Sequence, residues 1–342
     1  MELVYTPVLG TGGATRASPS LARGTLHLKI GMKKIIVKEE NAGQRIDRFL
    51  AREFFLYSRA EIIKKIKKGE VLVNGKIIKP SYVLEEGNAI MLENFSKKES
   101  DNDLFANKDI KLDIIFENED VVVINKQAGL QVHPSFNEKK NTLVNALLAK
   151  YPQIINVHDG SVGAELRPGI VHRLDKDTSG IMVIALNVEA FLALKENFKN
   201  RTIQKQYLAI AKGIFIEKEG IIEKSIAKSS SYKKQIIARS NTKTVIRPAE
   251  THFKVLKDLG EYSLIELTPK TGRTHQIRIH LASIGHPIVG DNIYGKEAEG
   301  VALRHLLHAQ KLKFSLFEKE YEFVAPLAQD FEEFLEKIEQ GK

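Results

Sequence analysis

A chain of 342 residues is longer than one hydrophobic core usually spans, so two domains are expected and a one-motif module is excluded. Lys and Arg number 52 against 43 Asp and Glu, a formal charge of +9 that suits a protein meeting a polyanion, although solubility alone accounts for it equally well. The chain has no cysteine, which excludes disulfides, thiolate zinc sites and a thiol nucleophile, and it has no apolar run of roughly the 18 residues that a membrane span needs, so a cytoplasmic location away from membranes is expected.

In chain order, residues 1–31 form an atypical extension in which Glu2 is the only acid and Lys29 the only lysine, whereas a Lys- and Ile-rich style begins at Met32. The expectation is a mis-called start upstream of Met32, with an acid-poor targeting peptide as the alternative. From Arg45 the periodicity is helical, with Ile46, Phe49 and Leu50 on one stripe. A second helix follows, opened by a Ser58 and Glu61 capping box, lined by Ile62, Ile63 and Ile66, and stopped at Gly69. Its outer face carries Arg59, Lys64, Lys65, Lys67 and Lys68. Residues 71–78 then spell a hairpin about Asn74-Gly75, a pair that tolerates the positive φ of a type I′ turn. A basic helix beside such a hairpin resembles the S-four RNA-binding module over residues 45–92, which implies RNA contact with Arg59 and Lys65 as phosphate ligands. A solvated lysine face is the bland alternative.

Residues 93–108 are polar, aperiodic and poor in β-branched residues, which marks a linker between a small α/β domain at 32–92 and a larger one at 109–342. In the larger domain, apolar runs predict strands at 114–116, 121–124, 181–185, 206–211, 252–256 and 263–268. Helices are expected around Leu143 to Leu148 and near 188–199 and 274–283. Strands outnumber helices without βαβ alternation, so the predicted class is α+β with a mixed, mostly antiparallel sheet.

The chemistry concentrates in residues 167–180, a polar loop between apolar strands, where catalytic groups often sit. His172-Arg173-Leu174-Asp175 followed by Thr178-Ser179-Gly180 resembles the signature of the RluA/RluD family of RNA pseudouridine synthases. The resemblance extends over residues 110–325 through Val123-Ile-Asn-Lys126, Val132-His-Pro134, Lys205-Gln-Tyr207 and Thr271-Gly-Arg-Thr-His-Gln-Ile-Arg278. Gln127 stands where the family usually has proline, a departure that concerns loop shape. The resemblance implies a pseudouridine synthase fold and an isomerase that cuts the bond from ribose carbon 1′ to uracil nitrogen 1, turns the ring and rejoins it through carbon 5. With an S-four-like module at the N-terminal side, it implies large-subunit ribosomal RNA as substrate.

The resemblance assigns catalysis to Asp175, which either attacks carbon 1′ or takes the carbon 2′ proton; the sequence leaves both routes open. A carboxylate in a pocket that excludes water needs a neighbouring cation, and Arg278 matches the family's ion-pairing arginine. Tyr207 matches its stacking tyrosine, which also assists loss of the carbon 5 proton, and Arg173 the arginine that fills the space left by a flipped base. His172 and Asp177 are expected to be structural, Asp177 because alternate residues of an extended segment face opposite ways. Arg273 is expected to touch phosphate. Residues 224–249 hold seven bases and no acid, which favours a backbone-binding strip that includes Lys233 and Lys234. His275 and His280 lie off the i, i+4 spacing of a helical metal pair, so neither metal nor cofactor is expected. A monomer is expected. The alternatives are a transfer RNA pseudouridine synthase and a non-catalytic RNA-binding or assembly factor.

Overall fold

The computed structural model describes residues 33–54, 57, 59–93, 104–135, 138–161, 163–229, 234–295 and 301–341, without the side chains of residues 52, 59 and 60. The expectations for residues 1–31, for Ser58 as a cap, for most of the 93–108 linker and for the side chains of Arg59 and Lys233 lie outside the described residues. The chain divides into two compact units, residues 1–98 and 99–342, each with its own core.

In the first unit, α1 (Ile46–Glu53) and α2 (Arg59–Lys67) accompany a four-stranded antiparallel sheet of β1 (Lys33–Ile36), β2 (Val71–Val73), β3 (Lys76–Ile77) and β4 (Ala89–Leu92), in the order β1-β4-β2-β3. The hairpin turns on Asn74 and Gly75, both at positive φ (51° and 75°), as a type I′ turn requires. The helical stripes are those read from the periodicity, except that Ile63 is only half-buried. Two helices and a hairpin alone would enclose little. Strands β1 and β4, which the sequence reading omitted, add Ile90 and Leu92 to a core of Val37, Ile46, Phe49, Leu50, Ile62, Ile66, Val71, Val73 and Leu84. Each such side chain contributes on the order of 1.5–3 kcal/mol on burial.

The second unit is built on one large sheet. Its strands are β5 (Ile114–Glu117), β6 (Val121–Lys126), β7 (Ser179–Ala185), β8 (Gln204–Lys212), β9 (Glu219–Glu223), β12 (Glu250–Leu259), β13 (Tyr262–Pro269), β14 (Leu307–Leu316) and β15 (Lys319–Val324), with β10 (Ile226–Lys228) and β11 (Gln235–Ile237) forming a separate ribbon. The order is β5-β6-β7-β14-β8-β13-β12-β9, with β15 also on β14, and the β7–β14 pair is parallel while the others are antiparallel. The expected mixed, mostly antiparallel α+β class is what the structure has. Helices α3 (Leu143–Lys150), α4 (Val188–Asn200), α5 (Gln276–Ala282) and α6 (Gln329–Glu339) complete it; no helix of the described residues is long and apolar enough to cross a membrane.

Two features of this sheet position the site. Gly180 opens β7 opposite Ala309 at φ 115°, and an added Cβ would collide with the Ala309 backbone, so only glycine permits the β7–β14 approach. Strand β8 lies between β13 and β14, with Tyr207 opposite Leu267 and Ala309, so its side chain emerges from the middle of the sheet and touches the cores on both sides.

Candidate active site

The segment that enters β7 is tightly held. Thr178 N donates to Asp175 O at 3.2 Å, which closes a turn over Lys176 and Asp177. The expectation of an extended segment is therefore corrected: Asp177 departs from Asp175 by turning rather than by strand alternation. Lys126, at the buried end of β6, donates to the carbonyls of Gln127, Leu130 and Lys176 at 2.8, 2.9 and 3.0 Å. Burial pushes its ammonium down to about 7. Arg304 donates to Asp177 O at 3.0 Å and Ser179 Oγ at 3.2 Å, and it is anchored by Asp330 of α6 at 2.6 Å. The Thr178 hydroxyl meets His305 Nε2 at 2.8 Å. His172 serves structure as expected: its Nε2 accepts from Val183 N at 3.0 Å, its ring stacks on Phe198 at 4.7 Å, and burial pushes it down to about 3.

Asp175 projects from this braced turn toward α5. Arg278 Nη1 donates to Asp175 Oδ2 at 3.2 Å, while Nε and Nη2 donate to the two carboxylate oxygens of Asp291 at 2.7 and 2.9 Å. Asp291, which the sequence reading missed, is thus the second acid that holds Arg278. It also accepts from the backbone N–H groups of Ile293 and Tyr294 at 2.9 and 3.1 Å. Burial would raise the Asp291 carboxyl, but Arg278 outweighs it and the group is held below the ordinary carboxylate value. Side-chain exposure is 0 % for Asp291, 4 % for Arg278 and 19 % for Asp175, so Asp175 is the member of this triad open to a substrate.

The segment before α5 differs from expectation. The helix begins at Gln276 rather than Thr274, because His275 adopts φ 57° and the buried Gln276 side chain accepts from Thr271 Oγ1 at 2.7 Å and Arg273 N at 3.0 Å. That turn places His275 Nε2 3.9 Å from Asp175 and His275 Nδ1 3.0 Å from the Tyr294 hydroxyl. Tyr294 lies under Arg278, with 5.5 Å from the guanidinium carbon to the ring centre. His280 is spent inside the fold, against Thr251 Oγ1 and Lys224 O at 2.9 Å each.

A cavity of about 870 Å³ opens over these groups, lined among others by Asp175, Tyr207, Arg278, Arg173 and Arg273. Among the described lining residues Asp175 is the only acid, against nine Lys and Arg. Tyr207 is pushed above its ordinary value by burial and then by the charge of Asp175, so a neutral phenol faces the cavity. Arg173 is exposed at the rim. The structure thus brings five of the expected site residues to one cavity. Lys234 stands apart from the lining, exposed beside the turn between β10 and β11. Lys65 lies in the first unit and is held by Glu70 at 2.7 Å, so a phosphate would have to compete for it.

A sequence model of the RNA pseudouridylate synthase family matches residues 120–283, and that of the S4 domain matches residues 44–90. A relative from Aquifex aeolicus described as an RNA pseudouridine synthase is 40% identical over 267 residues, covering 77% of this chain and 81% of its own. The ribosomal large subunit pseudouridine synthase D of Escherichia coli is 36% identical over 316 residues, covering 88% and 92%. Among solved structures, human RNA pseudouridylate synthase domain containing 1 superposes with a TM-score of 0.53 at 27% identity, over 67% of this chain and 94% of that one. With the signature loop, the basic cavity and relatives of this identity matched over most of their length, the chain belongs to the RNA pseudouridylate synthase family and is an isomerase with an N-terminal S4 domain.

Proposed function

We propose that this enzyme isomerises uridine in large-subunit ribosomal RNA, as a cytoplasmic monomer, with Asp175 as the essential group. The observation that carries the catalytic part is Asp175, the one carboxylate among the described residues that line a cation-rich cavity, half-buried and paired with an arginine whose other nitrogens are taken by Asp291. The substrate part rests on the S4 domain and on a relative whose name specifies the ribosomal large subunit.

Uracil must leave its stack to place ribose carbon 1′ beside Asp175, and in this reading Arg173, exposed on the cavity lining, fills the gap left in the RNA. The neutral Tyr207 ring offers a stacking surface for the base. Burial and the charge of Asp175 keep Tyr207 a neutral phenol, so at the later step at which the carbon 5 proton departs its hydroxyl oxygen can take that proton only by passing its own on to water, as a relay and not as a free base. The overall reaction moves no electrons to or from a partner and needs no energy donor.

The test is to map pseudouridine in RNA from cells with and without the gene. One or more large-subunit sites should vanish in the deletion, return with the native protein and stay absent with Asp175→Asn; loss confined to transfer RNA would replace the substrate assignment. A second expectation concerns the division of labour. Without residues 1–92 the catalytic unit should still turn over a short stem-loop, because its core is its own. On long ribosomal RNA its affinity should fall and the dependence of log affinity on log salt should flatten, by about 0.7 to 0.9 for each phosphate that the truncated protein no longer neutralises. Equal slopes for the two proteins would show that α2 does not touch RNA.

A further inference from the structure

Five cations of the cavity lining, Arg173, Arg201, Lys205, Lys270 and Arg273, have no acid within ion-pair distance among the described residues, whereas Lys199, Lys311 and Lys313 are paired with Glu196, Glu322 and Glu320. Three of the five stand together. Lys205 lies two residues before Tyr207 in β8 and so projects from the same face of the sheet. Its stem is half-buried, its ammonium lies 6.0 Å from the centre of the Phe198 ring, and Gly272 comes so near that a Cβ there would be 3.9 Å from Nζ. Burial lowers the Lys205 ammonium first, and the charge of Arg201 lowers it further. Arg273 is likewise lowered by burial and then by the charges of Arg247 and Arg201, so Arg201 is electrostatically close to both. Arg273 is anchored through Nε to Pro248 O at 3.2 Å, which leaves its two terminal nitrogens unengaged among the described residues. Like charges gathered without a counter-ion repel one another unless an anion joins them.

Arg201 supplies an independent observation. It ends α4 in the left-handed region, at φ 60° and ψ 30°, and Thr202 N donates back to Asn197 O at 3.1 Å. This is the helix-terminating bend that glycine fills without penalty and that a residue with a Cβ enters at an energetic cost. The Arg201 side chain makes no hydrogen bond or ion pair among the described residues in return. A residue that strains the backbone and supports nothing inside the fold is a candidate for a role outside it.

We propose that Arg201, Lys205 and Arg273 form a cradle for an RNA phosphodiester adjoining the nucleotide bound at Asp175 and Tyr207. The proposal rests on the reading that the cavity takes a uridine of RNA, and it assigns the neighbouring backbone to the side of the cavity built by α4, β8 and the Gly272 loop. A phosphate there receives the planar fork of an arginine and the point charge of a lysine, the combination that suits a tetrahedral anion in a partly closed site.

The decisive variant is Arg201→Gly in the full chain, because structure and function then predict opposite outcomes. Glycine fits the left-handed position, so the melting temperature should hold or rise. Affinity for a uridine-containing stem-loop should nevertheless fall several-fold, with the salt slope shallower by about 0.7 to 0.9. Lys205→Met keeps the buried stem and removes the charge; it should give the same slope change and raise KM more than it lowers kcat. Lys337→Gln, exposed on α6, is the control and should change neither. Native affinity and slope in both Arg201→Gly and Lys205→Met would overturn the cradle. Because the readout is RNA affinity, a native protein that binds but forms no pseudouridine would refute the proposed function and leave the cradle standing.

Discussion

Asp175→Asn should abolish pseudouridine formation, by about 10⁴-fold or more, while fold and RNA affinity stay close to native. Asparagine keeps the shape of the side chain and an oxygen for Arg278 Nη1, but it provides neither a nucleophile for carbon 1′ nor a base for carbon 2′. The fold is insulated because Arg278 is already satisfied by Asp291, with two short hydrogen bonds in a fully buried setting. One cation between two carboxylates carries a net negative charge; removing that of Asp175 leaves a neutral pair. The melting temperature should therefore hold or rise, the usual sign of a site that gives up stability for activity. The measurements are thermal unfolding, RNA binding, and single-turnover conversion of a ribosomal RNA fragment. Conversion within tenfold of native would end the assignment of Asp175.

How much of this was legible in the sequence depends on the range of the signal. Ile46, Phe49 and Leu50, the Asn74-Gly75 turn and the runs that became β6, β7, β8 and β13 are local patterns, and each pointed to the right element within a few residues. Strand β14 escaped because His308, Gln310, Lys311 and Lys313 interrupt its apolar residues, and a register shift between Ala309 and Lys311 breaks the alternation. Helix α6 is a different case: Phe331, Phe334, Leu335 and Ile338 follow the i, i+3, i+4, i+7 spacing, so its signal was present and unread. In the site, Asp175, Tyr207 and Arg278 were found through motif resemblance, and the structure brings them to one cavity. The supports of the turn could not be found that way. Arg304 reaches Asp177 across 127 positions, and nothing around either residue announces the partner. His275 was weighed as a helical residue, yet its positive φ depends on Gln276 bonding to Thr271 and Arg273, a side-chain network that periodicity does not report.

Asp291 is where that hidden support has the largest consequence, and Asp291→Asn should damage both stability and catalysis. The carboxylate receives two nitrogens of Arg278 and two backbone N–H groups, all without exposure to solvent. Asparagine retains one acceptor but turns an NH₂ group toward Arg278 or the backbone, so donor faces donor and a buried guanidinium loses its full counter-charge. Breaking one side of a buried pair costs about 3–5 kcal/mol. Arg278 would then shift toward Asp175, its remaining acid. A displacement on the order of 1 Å at a reacting group can cost about 100-fold in rate. At a temperature where the variant is fully folded, kcat should fall by that order while RNA affinity stays native, a split that loss of stability alone would not produce. A double replacement separates the two roles. Asp291→Leu with Arg278→Met removes both charges together and should recover much of the lost stability, since an apolar pair of similar volume often equals a buried ion pair. It should remain inactive, because Asp175 would have no cation beside it. A double variant that is both stable and active would show that the Arg278–Asp291 pair serves packing rather than the carboxylate it faces.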